Sequence, residues 1–216
     1  METKNIYNLI ILDESGSMSN IERQAVSAVN ETIQSVRKAQ EENPGQNYHL
    51  SLYVFSGHGM EGVRMVRDRV PVENIDDFLM GEYRPNGCTP LYDAMGTGIS
   101  HLKASTRKGD PVLVTIITDG MENSSREYSQ TTIQHIVSER RKEGWTFAYI
   151  GANQDAVEVA RDLNIKNALN FEATEEGTLE MGATLADSTL HFCCMAPSCA
   201  ADDADGFFDV KKKKKR

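Results

Sequence analysis

The sequence has no apolar run long enough to cross a membrane. None of its stretches approaches the roughly 20 consecutive apolar residues that a spanning helix requires. Its first residues lead directly into a short apolar stretch, without the basic and then apolar pattern of a secretion signal. These absences predict a protein that does not associate with membranes, and the cytoplasm is its expected location.

Cysteine is also scarce. Only four are present: Cys88 stands alone, and Cys193, Cys194 and Cys199 lie close together near the end of the sequence. Without a secretion signal, these are expected to be free thiols rather than a disulfide framework. The spacing of His191 and the three later cysteines is a weak zinc pattern, because structural zinc ligands usually come as Cys-x-x-Cys-like pairs from both halves of a site. Exposed thiols on a poorly ordered tail are therefore expected.

Sequence motifs of common enzyme classes are missing as well. There is no Gly-x-Ser-x-Gly nucleophile elbow and no Walker-type phosphate loop. No histidine is spaced from cysteine or from an acidic residue of the domain in a way that indicates a general base. The histidines, for which a structural role is expected, are His49, His58, His101, His135 and His191. The sequence therefore predicts a protein that is not an enzyme.

Charge is unevenly distributed along the chain. The formal net charge is −9, but six of the 23 Lys and Arg residues form the run at 211–216, which leaves 17 basic against 32 acidic residues in positions 1–210. Such an acidic body repels phosphates, so nucleic-acid binding is not expected for the domain. The basic run is expected to be a solvated tail, with contact to nucleic acid, anionic lipid or an acidic partner as the alternative.

Apolar periodicity predicts a single α/β domain over residues 1–190, followed by a tail over 191–216. Near-continuous apolar runs indicate buried strands, and amphipathic stretches between them indicate helices. The predicted strands are 6–12, 48–55, 62–70, 111–118, 145–150 and 168–171. The predicted helices are 19–43, 72–80, 90–102, 129–142, 153–163 and 175–190. This order predicts a mostly parallel sheet with helices on both faces, and the arginine-rich strand at 62–70 as an antiparallel edge strand.

Two of the predicted buried strands end in an aspartate. Asp13 follows the first strand and precedes Ser15 and Ser17, which alternate across a glycine; Asp119 follows the strand at 111–118. The carboxyl ends of neighbouring parallel strands meet at one edge of a sheet, where such folds bind ligands. Thr89, at the start of a predicted helix, brings a third hydroxyl there. Carboxylates with hydroxyls form an oxygen-ligand set for a hard divalent cation, Mg²⁺ before Ca²⁺.

Plainer roles remain open for the hydroxyl residues. On the first segment alone, a polar turn with a helix cap is an equal alternative to a cation site. Ser19 and Glu22 have the spacing of a capping box. Thr89 is compatible with an N-cap role, with Pro90 as the first helical residue.

Three further polar residues lie near the same strand ends. By alternation, Glu14 is expected to point away from the ligands and to be a surface acid. Asn153 and Asp155 follow another strand end. They are expected to cap a helix, with a position at the rim of the site as the alternative.

The segment Asp13-Glu14-Ser15-Gly16-Ser17 resembles the Asp-x-Ser-x-Ser signature of the von Willebrand factor A (vWA) domain. Thr89 matches the family's threonine, and Asp119, in Thr118-Asp119-Gly120, matches its second aspartate. The resemblance covers about residues 4–190 and departs from the family pattern at no ligand position. Among family members, the sequence resembles the prokaryotic cytoplasmic type, including proteins associated with tellurium resistance.

This resemblance implies a three-layer, Rossmann-like fold and a metal-ion-dependent adhesion site (MIDAS). The implied ligands are Asp13, Ser15, Ser17, Thr89 and Asp119. In the family, such a site holds Mg²⁺, with Mn²⁺ as an alternative, and a Glu or Asp of a partner protein completes its coordination. The implied function is metal-dependent protein binding, in stress-response or chaperone-like assemblies, by a chain that is monomeric alone. The alternatives are a metal-dependent hydrolase or phosphotransfer enzyme that uses the same acids, or a scaffold that has lost its metal.

Overall fold

The computed structural model describes residues 3–57, 62–152, 156–196 and 206–209. Several residues considered above lie outside these ranges: His58, Asn153, Asp155, Cys199 and the basic run at 211–216.

Within the described ranges, a six-stranded sheet forms the centre of the molecule, with the strand order β3-β2-β1-β4-β5-β6. All neighbouring strands are parallel except β2 and β3, which are antiparallel. The predicted fold, a mostly parallel sheet with one antiparallel edge strand, is therefore confirmed. The strands are β1 Asn5–Asp13, β2 Asn47–Phe55, β3 Val63–Pro71, β4 Val112–Thr118, β5 Thr146–Ala152 and β6 Asn167–Phe171.

Helices cover both faces of the sheet. One face packs against α1 and α5, and the other packs against α2, α3 and α4. The helices are α1 Glu22–Glu42, α2 Leu91–Lys103, α3 Gln130–Lys142, α4 Ala156–Asp162 and α5 Glu175–Met195. None of the helices in the described part of the chain is long and apolar enough to cross a bilayer.

The central strand β1 is buried from both sides because its apolar residues face alternate layers. Ile6, Ile10 and Leu12 pack under α1 and α5, whereas Leu9 and Ile11 pack under α2. Their side chains are at most 1% exposed. β1 lies between β2 and β4, with both of which it pairs in parallel. The carboxyl ends of the three strands therefore meet at one edge of the sheet.

Neither cap role considered for the hydroxyl residues, at the starts of α1 and α2, is found in the structure. A 3-10 turn over Gly16–Ile21 precedes α1, and the hydroxyl of Ser19 donates to the carbonyl of Gly16 at 2.8 Å instead of capping the helix. Glu22 is already the first residue of α1, so it is too early to close a capping box. The N-cap of α2 is Pro90, which leaves Thr89 outside the helix. Its hydroxyl is thus not used in capping.

Two other predicted boundaries also differ from the structure. The segment predicted as a helix over 72–80 forms two separate 3-10 turns, Val72–Asn74 and Met80–Glu82. The last helix extends five residues beyond the predicted end at 190, to Met195. Consequently, the prediction of exposed thiols on a tail is wrong for Cys193, which is 0% exposed and packs in the core, whereas Cys194 is half-buried. Burial raises the pKa of the Cys193 thiol to about 12.

A short piece of the predicted tail also packs against the domain. The side chain of Phe207 is 6% exposed and joins the core under α1 and α5. The backbone N–H groups of Gly206 and Phe207 donate to Oδ1 of Asn167 at 2.8 and 3.0 Å. Since Asn167 is the first residue of β6, this contact lies at the amino-terminal edge of the parallel strands.

Two glycines of α2 provide a test of the packing between α2 and the segment before α3. A Cβ atom on Gly96 would lie 2.4 Å from Cδ1 and Cε1 of Tyr128, whereas one on Gly98 would lie 3.5 Å from Cδ1 of Ile11. The backbone N–H of Tyr128 donates to Asp93 at 2.9 Å, which restricts the retreat of the ring.

We expect Gly96→Ala to lower the free energy of unfolding by about 1–3 kcal/mol, because the overlap outweighs the gain in helix propensity. Gly98→Ala is the matched control and should leave stability unchanged or raise it by up to ~1 kcal/mol. Urea denaturation measures both. Equal stabilities of the two variants would contradict the packing described for Gly96.

Candidate metal centre

Asp13 lies at the centre of the carboxyl edge of the sheet. It is the last residue of β1 and is 0% exposed. Its Oδ1 accepts a hydrogen bond from the backbone N–H of Ser15 at 2.7 Å, and its Oδ2 accepts one from the hydroxyl of Thr118 at 2.5 Å. Thr118 ends β4, so this bond ties the ends of the two central strands together. The carboxylate is thereby fixed in orientation by both of its neighbours.

A chain of hydroxyl groups connects the first loop to Asp119. The hydroxyl of Ser17 donates to Oδ1 of Asp119 at 2.6 Å, and the hydroxyl oxygens of Ser15 and Ser17 are 3.1 Å apart. Since the single proton of Ser17 is used on Asp119, Ser15 is the donor in the second bond. Ser15 is 2% exposed, Asp119 is half-buried and Ser17 is exposed. The group is thus buried at one end and open to solvent at the other.

Thr89 reaches the same place from the loop before α2. It is 3% exposed. A methyl group placed on Gly120 would lie 2.9 Å from Oγ1 of Thr89 and 3.6 Å from Oδ2 of Asp13, so both oxygens border one small space. Only glycine at position 120 leaves that space open. The five residues predicted as ligands are therefore brought together at three loops.

The electrostatics of this group favour a cation. Burial raises the pKa of Asp13 to about 6 and also raises the pKa of Asp119. Within the described residues, neither carboxylate forms an ion pair with Lys, Arg or His. Two uncompensated carboxylates with three hydroxyls are the donor set of a hard divalent ion. No cluster of three or more His, Cys, Asp or Glu side chains offers another metal site in the described ranges.

Three residues that support the group were not predicted as site residues. The hydroxyl of Thr118 contacts the Asp13 carboxylate, and the buried hydroxyl of Tyr83 donates to the backbone carbonyl of Asp13 at 2.6 Å. Asn123 holds the backbone of Thr89 through two hydrogen bonds. Its side-chain Oδ1 accepts from the N–H of Thr89 at 2.8 Å, and its backbone N–H donates to the carbonyl of Thr89 at 3.1 Å. Of the three, only Thr118 could have been recognised from the sequence, because it directly precedes the proposed ligand Asp119.

The loop after Asp119 is held onto the start of α2 by two further acids. Glu122 accepts bonds from the backbone N–H groups of Ser124 and Ser125 within the loop and from Tyr92 of α2. From α2, Asp93 accepts backbone bonds from three consecutive residues, 126–128, at 2.8–2.9 Å. Both acids thus serve to position the loop, and thereby Asn123 and Thr89.

The prediction that Glu14 is a surface acid is wrong. Glu14 is 7% exposed, and its carboxylate accepts hydrogen bonds from Nη2 of Arg64 at 3.0 Å and from the backbone N–H of Arg84 at 2.7 Å. Alternation fails here because β1 ends at Asp13, so the next residue turns toward β3. Glu14 therefore fixes the neighbouring loop rather than facing solvent.

The chain matches the family model of the von Willebrand factor type A domain over residues 9–183, and it belongs to that family. No curated protein matches it. Solved structures that share its fold include the pilus adhesin SpaC from Lactobacillus rhamnosus GG, with 15% identity over 88% of this chain and 31% of that one, and a TM-score of 0.67.

Two further similar structures show the same fold at low identity. The SpRpn10 VWA domain is 11% identical over 84% of this chain and 94% of its own, with a TM-score of 0.58. Proximal thread matrix protein 1 of the mussel byssus, solved with a zinc-occupied MIDAS motif, is 18% identical over 86% of this chain and 49% of its own, with a TM-score of 0.56. The chain thus spans about a third of the adhesin and half of the mussel protein.

Glu14 and Asp77 provide a matched pair for testing the loop beside the site. The carboxylate of Glu14 is 10% exposed and that of Asp77, which pairs with Arg37, is 53% exposed. We expect Glu14→Ala to cost about 1–3 kcal/mol of unfolding free energy, because Arg64 and the Arg84 N–H lose a desolvated acceptor.

Asp77→Ala should cost only about 0–1 kcal/mol, since solvent screens the exposed pair. Urea denaturation of both variants at neutral pH makes the comparison. A cost for Glu14→Ala no larger than that for Asp77→Ala would show that the Glu14 contacts do not hold the loop.

Proposed function

We propose that this chain is a divalent-metal-dependent protein-binding module. In this proposal, Mg²⁺ or Mn²⁺ is held by five residues: Asp13, Ser15, Ser17, Thr89 and Asp119. An Asp or Glu side chain of a partner protein completes the coordination. The observation that carries the proposal is the convergence of two uncompensated carboxylates and three hydroxyls at one edge of the sheet. Membership of the vWA family, and the zinc-occupied MIDAS motif of the mussel protein, support it.

The arrangement of charges explains why such a site would take an acidic partner. Hydroxyls are neutral ligands, so three of the five proposed ligands leave the charge of a divalent ion undiminished. A bound ion would supply an electrophilic point that attracts a carboxylate. Ser17 and Asp119 are the solvent-facing members of the group, whereas Asp13 is buried behind them. The partner is therefore expected to approach from the side of Ser17 and Asp119.

A binding role accords better with the surroundings of Asp13 than catalysis. Both of its carboxylate oxygens accept hydrogen bonds from the protein, one from the N–H of Ser15 and one from Thr118. Within the described residues, no His or Lys contacts Asp13 or Asp119 to serve as a general acid or base. We therefore propose that the chain is not a hydrolase or phosphotransfer enzyme.

The cytoplasm and a stress-response assembly remain predictions from the sequence and its resemblance. Cys88, Cys193 and Cys194, the described cysteines, are free thiols. Free thiols are usual in a reducing compartment, which supports the cytoplasmic proposal.

Two glycines near the proposed ion test the metal proposal. Gly120→Ala would place a methyl group 2.9 Å from Oγ1 of Thr89, within the small space that the ligands border. Gly16→Ala is the control: it lies between two proposed ligands, but its methyl group would meet only the backbone of Gly87, at 3.6 Å.

We expect wild type and Gly16→Ala to unfold at higher temperature in Mg²⁺ or Mn²⁺ than in chelator. Ligand at 100-fold excess over Kd stabilises the folded state by about 2.7 kcal/mol. Gly120→Ala should lose most of this ion-dependent shift while keeping the stability of wild type in chelator to within about 1 kcal/mol. An unchanged shift in Gly120→Ala, or none in wild type, would overturn the assignment of the ligands.

The bridging role is tested by affinity capture from lysate in Mg²⁺ and in chelator. Captured proteins should be retained by wild type in Mg²⁺ and released by chelator, because the ion joins the two proteins. Thr89→Ala should lose them, since it removes a proposed ligand. Thr106→Ala is the control, because Thr106 follows α2 at the opposite edge and its hydroxyl donates to the backbone carbonyl of Lys103 at 3.3 Å. Capture that is equal in Mg²⁺ and chelator would refute a metal bridge.

A further inference from the structure

A cavity with several charged side chains in its wall lies next to the loop of Asp13 and Ser15, on the β3 side. Its volume is about 680 Å³, and its walls include Glu14, Arg64, Glu82, Arg84 and Asn86. Glu14 separates the cavity from the site, because it stands between two proposed ligands in the sequence. The backbone N–H of Asn86 donates to the carbonyl of Glu14 at 2.8 Å, which joins the two walls. The same loop also contacts the proposed site, because the carbonyl of Gly87 accepts a hydrogen bond from the N–H of Gly16, between Ser15 and Ser17, at 3.0 Å.

Most charges in the cavity wall compensate one another. Arg64 pairs with Glu14 at 3.0 Å and also donates to the backbone carbonyl of Glu82 at 2.7 Å. From β3, Arg67 forms two bonds to the Glu82 carboxylate, at 2.8 and 3.1 Å, and this contact lowers the pKa of Glu82. Both acids of the wall are thus neutralised by arginines other than Arg84.

The guanidinium of Arg84 is the charge that remains. Within the described residues it forms no ion pair, and its hydrogen bond is a long one, from Nε to the carbonyl of Gly81 at 3.3 Å. Its two Nη groups are therefore directed to a ligand or to solvent. The backbone of Arg84 is fixed, since its N–H donates to Glu14 at 2.7 Å. The backbone that carries this exposed cationic side chain is thus fixed beside the loop of Ser15 and Ser17.

Charge complementarity selects the kind of ligand. Residues 1–210 carry 17 basic against 32 acidic side chains, so the molecule as a whole repels extended polyanions such as nucleic acid or an anionic bilayer. A short acidic peptide segment avoids this repulsion, because it presents its charges only at the ion and at Arg84. The guanidinium fork also matches the two oxygens of a carboxylate.

We infer that the cavity beside the proposed ion binds a second acidic side chain of the same partner segment, with Arg84 as its cationic contact. This inference rests on the proposed function, since the first acidic side chain is the one that completes the metal site. An extended segment advances about 3.3–3.6 Å per residue, so the distance between the ion and Arg84 would favour one spacing of the two acids. The site would then recognise a spaced pair of acids rather than any exposed carboxylate.

Selection from a random peptide library displayed on phage tests the inference. The library is bound to immobilised wild type in Mg²⁺, and bound phage are eluted with chelator. Peptides with two acidic residues at one preferred spacing should dominate the eluate. Arg84→Gln should select peptides with a single acid and no preferred spacing. Arg107→Gln, an equal loss of charge in the turn before β4 at the opposite edge, should select the same pairs as wild type.

A double-mutant cycle with one selected peptide then measures the contact between its second acid and Arg84. Replacing its second acid by the amide, or Arg84 by Gln, should each weaken binding about three- to tenfold, because the pair is partly exposed to solvent. The two changes together should weaken binding no further than either alone. The metal-dependent thermal shift of Arg84→Gln should equal that of wild type, which shows that the variant folds and retains the ion site.

Each outcome of the selection decides a different point. If wild type yields no peptides that chelator releases, the proposed function and the inference both fail. If chelator releases peptides with a single acid, equally from wild type and Arg84→Gln, the proposed function stands and the inference is wrong. If the selected peptide binds more tightly when phosphoserine replaces its second acid, and only in wild type, Arg84 recognises a phosphate and the assignment of a carboxylate is overturned.

Discussion

The molecule is organised around a carboxylate buried at the end of its central strand. Removing the charge of Asp13 from water is costly, and the protein compensates it with two hydrogen bonds, from Thr118 and from the N–H of Ser15. Burial raises the pKa of Asp13, and the hydrogen bonds from these neutral groups offset only part of that rise because they leave the negative charge itself unbalanced. A bound cation would remove that imbalance. The unbalanced negative charge of Asp13 is therefore the physical basis of the proposed metal binding.

The topology of the sheet brings the other proposed ligands close to the buried carboxylate of Asp13. Because β1 and β4 are parallel neighbours, the loops after them leave the same edge, and the segment before α2 brings Thr89 to them. Short bonds then lock these loops together: Ser17 to Asp119, and Thr89 to Asn123 in both directions. Contacts between the loops, in addition to the sheet, thus hold the loops in place.

The fold and the convergence at this edge were predictable because they depend on repeating patterns. The apolar run that ends at Asp13, and the similar run that ends at Asp119, indicate neighbouring buried strands without any knowledge of contacts. Glu14 could not be placed in this way, since alternation stops where β1 stops and its arginine partner comes from a distant strand. Tyr83 and Asn123 are likewise set by long-range packing, for which the local sequence carries no signal.

One physical cause accounts for both cap roles that the structure does not show. A hydroxyl near a helix start has several acceptors and donors within reach, and sequence spacing alone does not choose among them. Ser19 bonds to the carbonyl of Gly16 within a 3-10 turn, and Thr89 stands one residue too early to cap α2. In both cases the capping pattern misplaces the start of the helix, because the N-cap of α1 is Ile21 and that of α2 is Pro90.

The attachment of Phe207 to the start of β6 fixes the place of residues 206–209 relative to the proposed site. The backbone bonds to Asn167 hold this part of the chain at the edge of the sheet opposite Asp13. A sensor surface, a fluorescent label or a bead attached at Asp209, which is exposed, would thus be anchored behind the domain. The face that carries Ser17 and Asp119 would point away from the support, with no need for a long spacer.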